Sequence, residues 1–333
     1  MVKRAQEMET AYGVLRYEVM TGEGIDVGVM LTEYRGKDIE LEITQTMAGA
    51  PVTVVGKKAF LGAKSLRRIL LPACITDIRE WAFASCSNLE TVVLPHRKIS
   101  VGQGIFKDCG SLRRIILAEH QDATAGGCGA GILANAETAE IRDDTAYAES
   151  EAVSYLLAAA VNRLDAFYLF DPAAAGSNEW LKQWDARMMA LMAQADTDGF
   201  SKMLLCGEED YGSRENDLDY YVEQRRRFKV RLAMLRLMYD IGLSADDREQ
   251  LSVYLQAHKK GECSEETWRV VLEEHGDERE YYQFLLDHGC INGENFDAML
   301  ADMGEKHTEM KAFLMNSRGG WMREGDVFGG LEL

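Results

Sequence analysis

Proline, paired cysteines, long apolar runs and cations are what this 333-residue sequence has least of. Four prolines and no extended Ser/Gly tract leave little of the chain suited to disorder. Its seven cysteines (74, 86, 109, 128, 206, 263 and 290) form an odd set with no Cys-x-x-Cys pair, which fits reduced thiols and not a disulfide framework. Lys3 and Arg4 near the start are not followed by an apolar run, so no secretory signal is expected and the chain as given reads as cytoplasmic. The longest apolar stretch, Ala152 to Val161, is half the length of a bilayer crossing, which argues against membrane insertion. Lys and Arg number 37 against 55 Asp and Glu, a net charge of −18. Such a surface repels phosphate backbones, which argues against nucleic acid as the main partner unless a local basic patch escapes the average.

What is present is a repeat. Phe60, Phe83 and Phe106 stand 23 residues apart. The same step carries Leu66 to Leu89 to Leu112, Ile69 to Val92 to Ile115, and Leu71 to Leu94 to Leu117. It also carries Val55 to Ile78 to Val101, and Ala63 to Cys86 to Cys109. One copy holds too few apolar groups to bury a core alone, so copies must stack and share one. Stacking sets equivalent residues about 4.8 Å apart and turns each column into an apolar ladder. Within a copy, Leu-x-x-Ile-x-Leu before Pro72 or Pro95 reads as a short strand ended by a residue that cannot extend the ladder.

These residues carry a resemblance. Val54-Val55-Gly56-Lys57-Lys58-Ala59-Phe60, and later Cys86-Ser87-Asn88-Leu89-Glu90-Thr91-Val92-Val93-Leu94-Pro95, resemble the BspA-like class of bacterial leucine-rich repeats over residues 36 to 117. Ala63 stands for that pattern's first Cys, Ile105 for its Ala, Arg79 for its Gly and Ala118 for its last Pro, the last of these marking an expected end of the solenoid. The resemblance implies a β-solenoid used for protein or surface contacts, with no catalytic residues to carry over. Upstream, alternation in Val14–Val19 and Ile39–Ile43 reads as strands, taken as a β cap over residues 12–45 that covers the first of three coils.

The strand has two faces. With Leu66, Ile69 and Leu71 inward, alternation sends Arg68 and Leu70, Thr91 and Val93, and Arg114 and Ile116 outward. The stack then shows an apolar stripe of Leu70, Val93 and Ile116 beside Arg67, Arg68, Arg113 and Arg114. The stripe is expected either to bind a protein partner or to receive this chain's own helical half.

The columns vanish in the Gly/Ala-rich stretch 118–135, and residues 121–148 are expected to be a linker between a solenoid over 1–120 (repeats at 52–117) and a helical domain over 149–333. From Ser150, a candidate N-cap, the period becomes helical: Val153, Leu156, Leu157, Val161 and Leu164 share a face. Further helices are expected near 178–194, 214–241, 245–259, 265–275, 277–288, 293–303 and 306–316, with starts at Ser244 and Ser264. Phe284-Leu285-Leu286-Asp287-His288-Gly289-Cys290 resembles the helix ending of ankyrin repeats, Leu237 to Gly242 is a weaker relative, and a 29-residue step links Glu280–Leu286 to Glu309–Met315. The ankyrin turn Thr-Pro-Leu-His is absent.

Candidate chemistry is thin. His258, Cys263, His275, His288 and Cys290 carry donor atoms but no paired zinc spacing. Cys86 and Cys109 share a column with Ala63, which points to packing. Gly126–Gly131 has no Gly-Lys-Ser/Thr, and Asp196-Thr197-Asp198-Gly199 lacks the third ligand and closing Glu of a calcium loop. Arg225, Arg226, Arg227, Lys229 and Arg231 point around a helix and read as a solvated surface. The resulting expectation is an α+β chain, a capped leucine-rich solenoid followed by an all-helical domain. It acts as a non-catalytic protein-binding scaffold without cofactor or metal, through Arg68, Leu70, Thr91, Val93, Arg114 and Ile116. The alternatives are an enzyme with its site at the domain junction, or a metal or small-ligand sensor in the helical half.

Overall fold

The computed structural model describes residues 6–22, 25–118, 144–206 and 217–325. Strand β1 (Gln6–Glu9), β2 (Gly13–Gly22) and β3 (Ile25–Gly36) form an antiparallel meander. β3 then runs parallel to β6 (Ala50–Val55), which leads to β8 (Asp77–Ile78) and β10 (Ser100–Val101) in one sheet. The short β5 (Thr46–Met47) pairs antiparallel with β6. A second, parallel sheet orders β4 (Glu40–Glu42), β7 (Arg68–Leu70), β9 (Thr91–Pro95) and β11 (Arg114–Ala118). Arg68 faces Thr91, which faces Arg114, and Val55 faces Ile78, which faces Val101. The 23-residue step is the register of both sheets.

The ladder has four rungs where three coils were expected. The Ile39–Ile43 run belongs to the strand sheet and not to the cap, since Glu40 pairs with Arg68 and Glu42 with Leu70. That pairing spans 28 residues because the β5–β6 hairpin sits inside the first coil. Alternation identifies a strand but names no partner, so the step of 23 hid this rung.

The aromatic column holds the coils together. Phe60, Phe83 and Phe106 stack at 5.1 and 5.5 Å between ring centroids. Tyr34 of β3 extends the stack at one end (5.5 Å), and Phe170 closes the other edge-on (5.8 Å). Tyr34 is itself pinned, donating its hydroxyl to Asp38 at 2.8 Å, while Asp38 also accepts from Thr10 (2.5 Å) and the Tyr12 amide (2.9 Å). Burial pushes the Tyr34 hydroxyl up to about 12. Burial also opposes the charge on Asp38, but these donors outweigh it and hold the carboxyl below its usual range.

The chain clusters into two compact units, Met1–Arg187 and Met188–Leu333. The first unit therefore reaches well past residue 120. Helix α1 (Asp144–Asn162) packs against β11, and Asn162 donates to the Leu112 carbonyl at 2.5 Å. After a 3-10 turn (Phe167–Leu169), α2 (Asn178–Met192) returns two tryptophans, Trp180 to the Leu169 carbonyl (2.8 Å) and Trp184 to the Leu156 carbonyl (2.9 Å). These helices close the solenoid's far end, where an open coil would leave its apolar ladders in water. Ser150 lies inside α1 and is not its cap, because the Ala- and Glu-rich Thr145–Ala152 segment is itself a good helix former. The expected linker at 121–148 falls mostly outside the described residues.

The second unit holds α3 (Phe200–Cys206), α4 (Leu218–Met238), α5 (Ala245–Ala257), α6 (Glu266–Glu274), α7 (Arg279–Asp287), α8 (Phe296–Asp302) and α9 (Thr308–Gly325). α4 packs on α5 and α6, and α7 packs on α9, the two segments joined by the 29-residue step. Ser244 caps α5 through the Asp247 amide at 3.1 Å. Glu265, and not Ser264, occupies the cap position of α6. Gly242 and Gly289 both take left-handed φ (62° and 66°), the conformation that ends a helix cheaply only at glycine.

The basic run on α4 is not a solvated surface. Arg226 reaches Asp196 (2.9 Å) and Glu266 (3.8 Å), Lys229 reaches Asp196 at 2.7 Å, and Arg231 reaches Glu274 at 2.6 Å. Arg227 pairs with Glu273, and Lys229 is 3% exposed. The acids come from the 194–198 turn and α6, distant in sequence, so the helix wheel alone did not reveal them.

Candidate interaction surface

The outward strand residues are more enclosed than alternation predicted. Leu70, Thr91 and Val93 are buried (3%, 6% and 5% exposed), while Arg68, Arg114 and Ile116 are half-buried. Arg68–Leu70 and Thr91–Val93 of the two middle rungs have a ladder neighbour on both sides, and α1 lies against the last rung. The stripe is therefore not an open apolar patch. Its accessible part is Arg68, Arg114 and Ile116, with Arg67, Glu90 and Arg113 as an exposed flanking column. Arg67 and Glu90 pair at 3.6 Å, and Arg68 Nε is buried without a hydrogen-bond partner.

A different face is the more open one. Between β6 and β7, and again between β8 and β9, the chain arcs back to the strand sheet. Successive arcs are hydrogen-bonded: Lys58 to Glu80, Phe60 to Ala82, Trp81 to Gln103 and Phe83 to Ile105, amide to carbonyl at 2.7–3.2 Å. Two columns repeat a left-handed backbone in every coil. Lys58, Trp81 and Gly104 have φ of 60°, 61° and 64°, and Gly62, Ser85 and Asp108 have 69°, 59° and 59°. A bulky residue is an outlier there. Trp81 is tolerated because its ring lies against Gly104, where a Cβ would come within 3.2 Å of the indole. Lys107 Nζ stands 5.3 Å over the same ring. Lys57, Lys58, Leu61 and Lys64 of the preceding arc, and Lys107 of the following one, are exposed.

These arc residues lie outside the apolar columns, so a search of the core pattern does not find them. The signal was available: the same 23-residue step places Lys58, Trp81 and Gly104 in one column, outside the core. Charge points the same way. Residues 52–118 carry eleven Lys or Arg and four Asp or Glu, a net of +7 within a chain of −18. No ion pair joins Lys57, Lys58, Lys64, Lys98, Lys107, Arg113 or Arg114 to a carboxylate among the described residues.

The cysteines of the column pack. Cys86 and Cys109 are free and buried, and each thiol donates at 3.0 Å to the carbonyl 26 residues before it, Phe60 and Phe83. The neighbouring Cys86 sulfur and burial together push the Cys109 thiol up. In the helical unit, His275, Asp277, Glu278, Lys306 and His307 line an open cleft of about 630 Å³. His275 Nδ1 lies 2.9 Å from Glu278 with its ring stacked on Tyr281, and His307 Nδ1 lies 2.7 Å from Asp277. The cleft has no hydroxyl or thiol in its lining to serve as a nucleophile. Among the described residues, no three His, Cys, Asp or Glu side chains group closely enough to hold a metal ion. His258 is occupied with the Tyr254 carbonyl, and burial holds His288 below the usual histidine range. No helix among the described residues is long and apolar enough to cross a membrane.

Stacked parallel coils with this motif define a leucine-rich repeat segment. Residues 40–144, about a third of the chain, match the family model described as BspA type leucine rich repeat region, in six copies, and this part of the chain is a repeat segment of that type. No curated protein matches the chain. Among solved structures, a leucine-rich repeat protein of T. pallidum is 30% identical over 35% of this chain and 55% of its own, with a TM-score of 0.29. A leucine-rich repeat protein from Bacteroides capillosus ATCC 29799 is 24% identical, covering 35% of this chain and 88% of its own (TM-score 0.28). A leucine rich cell surface protein from Faecalibacterium prausnitzii A2-165 is 22% identical, covering 34% and 32% (TM-score 0.27). The chain spans about half the length of the first of these.

Proposed function

We propose that this chain is a non-catalytic protein-binding module whose repeat segment supplies the binding surface. The observation that carries the reading is the closed aromatic column. Tyr34 and Phe170 seal both ends of the stack, so the core is spent on rigidity and the coils' outward faces remain for contact. A rigid surface loses little conformational entropy on binding, which favours partner recognition over chemistry. Arg68, Arg114 and Ile116 are the accessible strand positions, backed by the enclosed Leu70, Thr91 and Val93. The free thiols of Cys74, Cys86, Cys109, Cys263 and Cys290 fit a reducing, cytoplasmic setting. In this reading neither cofactor nor nucleic acid takes part.

The test is quantitative capture of native-cell proteins on the immobilised full chain, against an Arg68→Glu/Arg114→Glu/Ile116→Asp variant. Loss of the captured set in the variant supports the strand face, and unchanged capture removes it. The absence of any saturable capture by the wild-type chain removes the module reading altogether.

A further inference from the structure

We infer that the arc face around Trp81 docks an acidic polypeptide segment, with the indole as apolar anchor and Lys57, Lys58, Lys64 and Lys107 as its cationic rim. This rests on the reading of the repeats as a binding module and names both the surface and the chemistry of the partner.

Three independent features converge. The first is charge: Lys57, Lys58 and Lys64 on the arc before that of Trp81, and Lys107 on the arc after it, are exposed and in no ion pair among the described residues, while the acids of these arcs are Glu80, Asp108 and Glu90, the last already paired with Arg67. Neighbouring rungs lie about 4.8 Å apart, so cations on adjacent coils match acids placed along an extended chain. The second is the anchor. Tryptophan held at an interface centre, rimmed by polar groups, is the commonest kind of binding hot spot. Trp81 is half-buried on the outer surface and sits at φ 61°, a conformation that costs stability at a bulky residue. The equivalent positions are Lys58 and Gly104, so packing of the solenoid does not require an aromatic there. Leu61, 49% exposed, supplies a second apolar contact. The third is the register: both left-handed columns run unbroken through the coils, which presents the rim as an ordered array and not a loose loop.

Nucleic acid is the rival polyanion, and two observations favour a polypeptide. Base stacking needs a free aromatic face. The Trp81 ring already has Gly104 against it and Lys107 Nζ 5.3 Å over it, so a base stacking there would have to displace the lysine. A long polyanion would also overrun the basic segment onto the rest of that segment's unit, residues 1–51 and 119–187, which carry a net charge of −12.

The experiment uses the full chain and fluorescence polarisation of a short labelled peptide rich in Glu and Leu. A single-stranded oligonucleotide of equal charge serves as competitor. Saturable, salt-sensitive peptide binding is expected, weakened about tenfold or more by Lys57→Glu/Lys58→Glu/Lys107→Glu. Trp81→Gly removes the anchor and relieves the left-handed strain, so it is expected to weaken binding while the melting temperature holds or rises. Lys107→Glu alone, at an exposed position, keeps the test open if Trp81→Gly fails to fold. Lys98→Glu, outside the arc, leaves affinity unchanged within about twofold. Equal weakening by Lys98→Glu, or tighter binding of the oligonucleotide, overturns the inference. If the peptide does not bind while the wild-type chain still captures protein, the acidic-segment inference falls and the module reading stands.

Discussion

In the helical unit Arg226, Arg227, Lys229, Arg231, Arg248, Lys260 and Arg269 each reach a carboxylate, whereas most lysines and arginines of the repeats point to water without one. The contrast follows from geometry. Parallel coils stack like on like, so a cation's ladder neighbours are whatever the repeat supplies; opposite charges meet across coils where the repeat is broken, as at Arg67 and Glu90, or within one coil, as at Asp77 and Arg79. Helices packed from distant parts of the sequence choose partners freely, and α4 has drawn acids from two other segments. The repeats thus derive cohesion from apolar columns and leave charge outside. The helical unit uses charge as part of its cohesion.

The sharpest way to break that contrast is at the two centres. Phe83→Ala deletes the middle ring of the aromatic column, a fully buried side chain, and is expected to cost about 3–5 kcal/mol in urea denaturation followed by circular dichroism. A cost under about 1 kcal/mol would mean the coils do not share one core. Lys229→Met is expected to cost about 3 kcal/mol, because Asp196 stays in the ion cluster with one cation fewer. The same change at the exposed Lys98 stays within about 0.5 kcal/mol. Equal effects at Lys229 and Lys98 would erase the distinction drawn above.

Acid sharpens it further. Burial resists the charge on Asp196, but hydrogen bonds from Lys229 and Arg226 outweigh it and lower its pKa. A carboxyl lowered in the folded state contributes stability that is complete above its unfolded value, about 3.9, and is lost as pH falls through the folded value. Asp196→Asn is therefore expected to lower the urea midpoint at pH 7 and to flatten its decline between pH 5 and 3. A decline as steep as wild type would place the acid-sensitive group elsewhere, Asp38 of the cap being the next candidate. The smallest effect is expected at the column thiols. Under native conditions a thiol reagent labels the exposed Cys263 and spares Cys86, Cys109 and Cys290, since burial pushes Cys290 up to about 12 and all three lie in the core. Labelling of Cys109 without unfolding would show an open column.

Local sequence spoke clearly where one residue's neighbours are its own repeat or its own helix turn. The Phe60–Phe83–Phe106 stack, the register that sets Thr91 between Arg68 and Arg114, the Ser244 cap and the glycine ending at Gly289 were all legible, since each depends on fixed short spacings. The rung Glu40–Glu42 was not, because a hairpin inside the first coil lengthened its step. On the strand face Leu70, Thr91 and Val93 are buried where alternation led to an expectation of exposure, because enclosure depends on what covers a side chain.

By itself, then, the sequence determined the repeat period, the inward columns and the helix-forming segments, because periodicity and capping act over a few residues. Only the tertiary structure decided where the first unit ends and which acids meet the α4 cations. Those contacts join segments whose spacing obeys no period, and burial and charge pairing are properties of the packed whole.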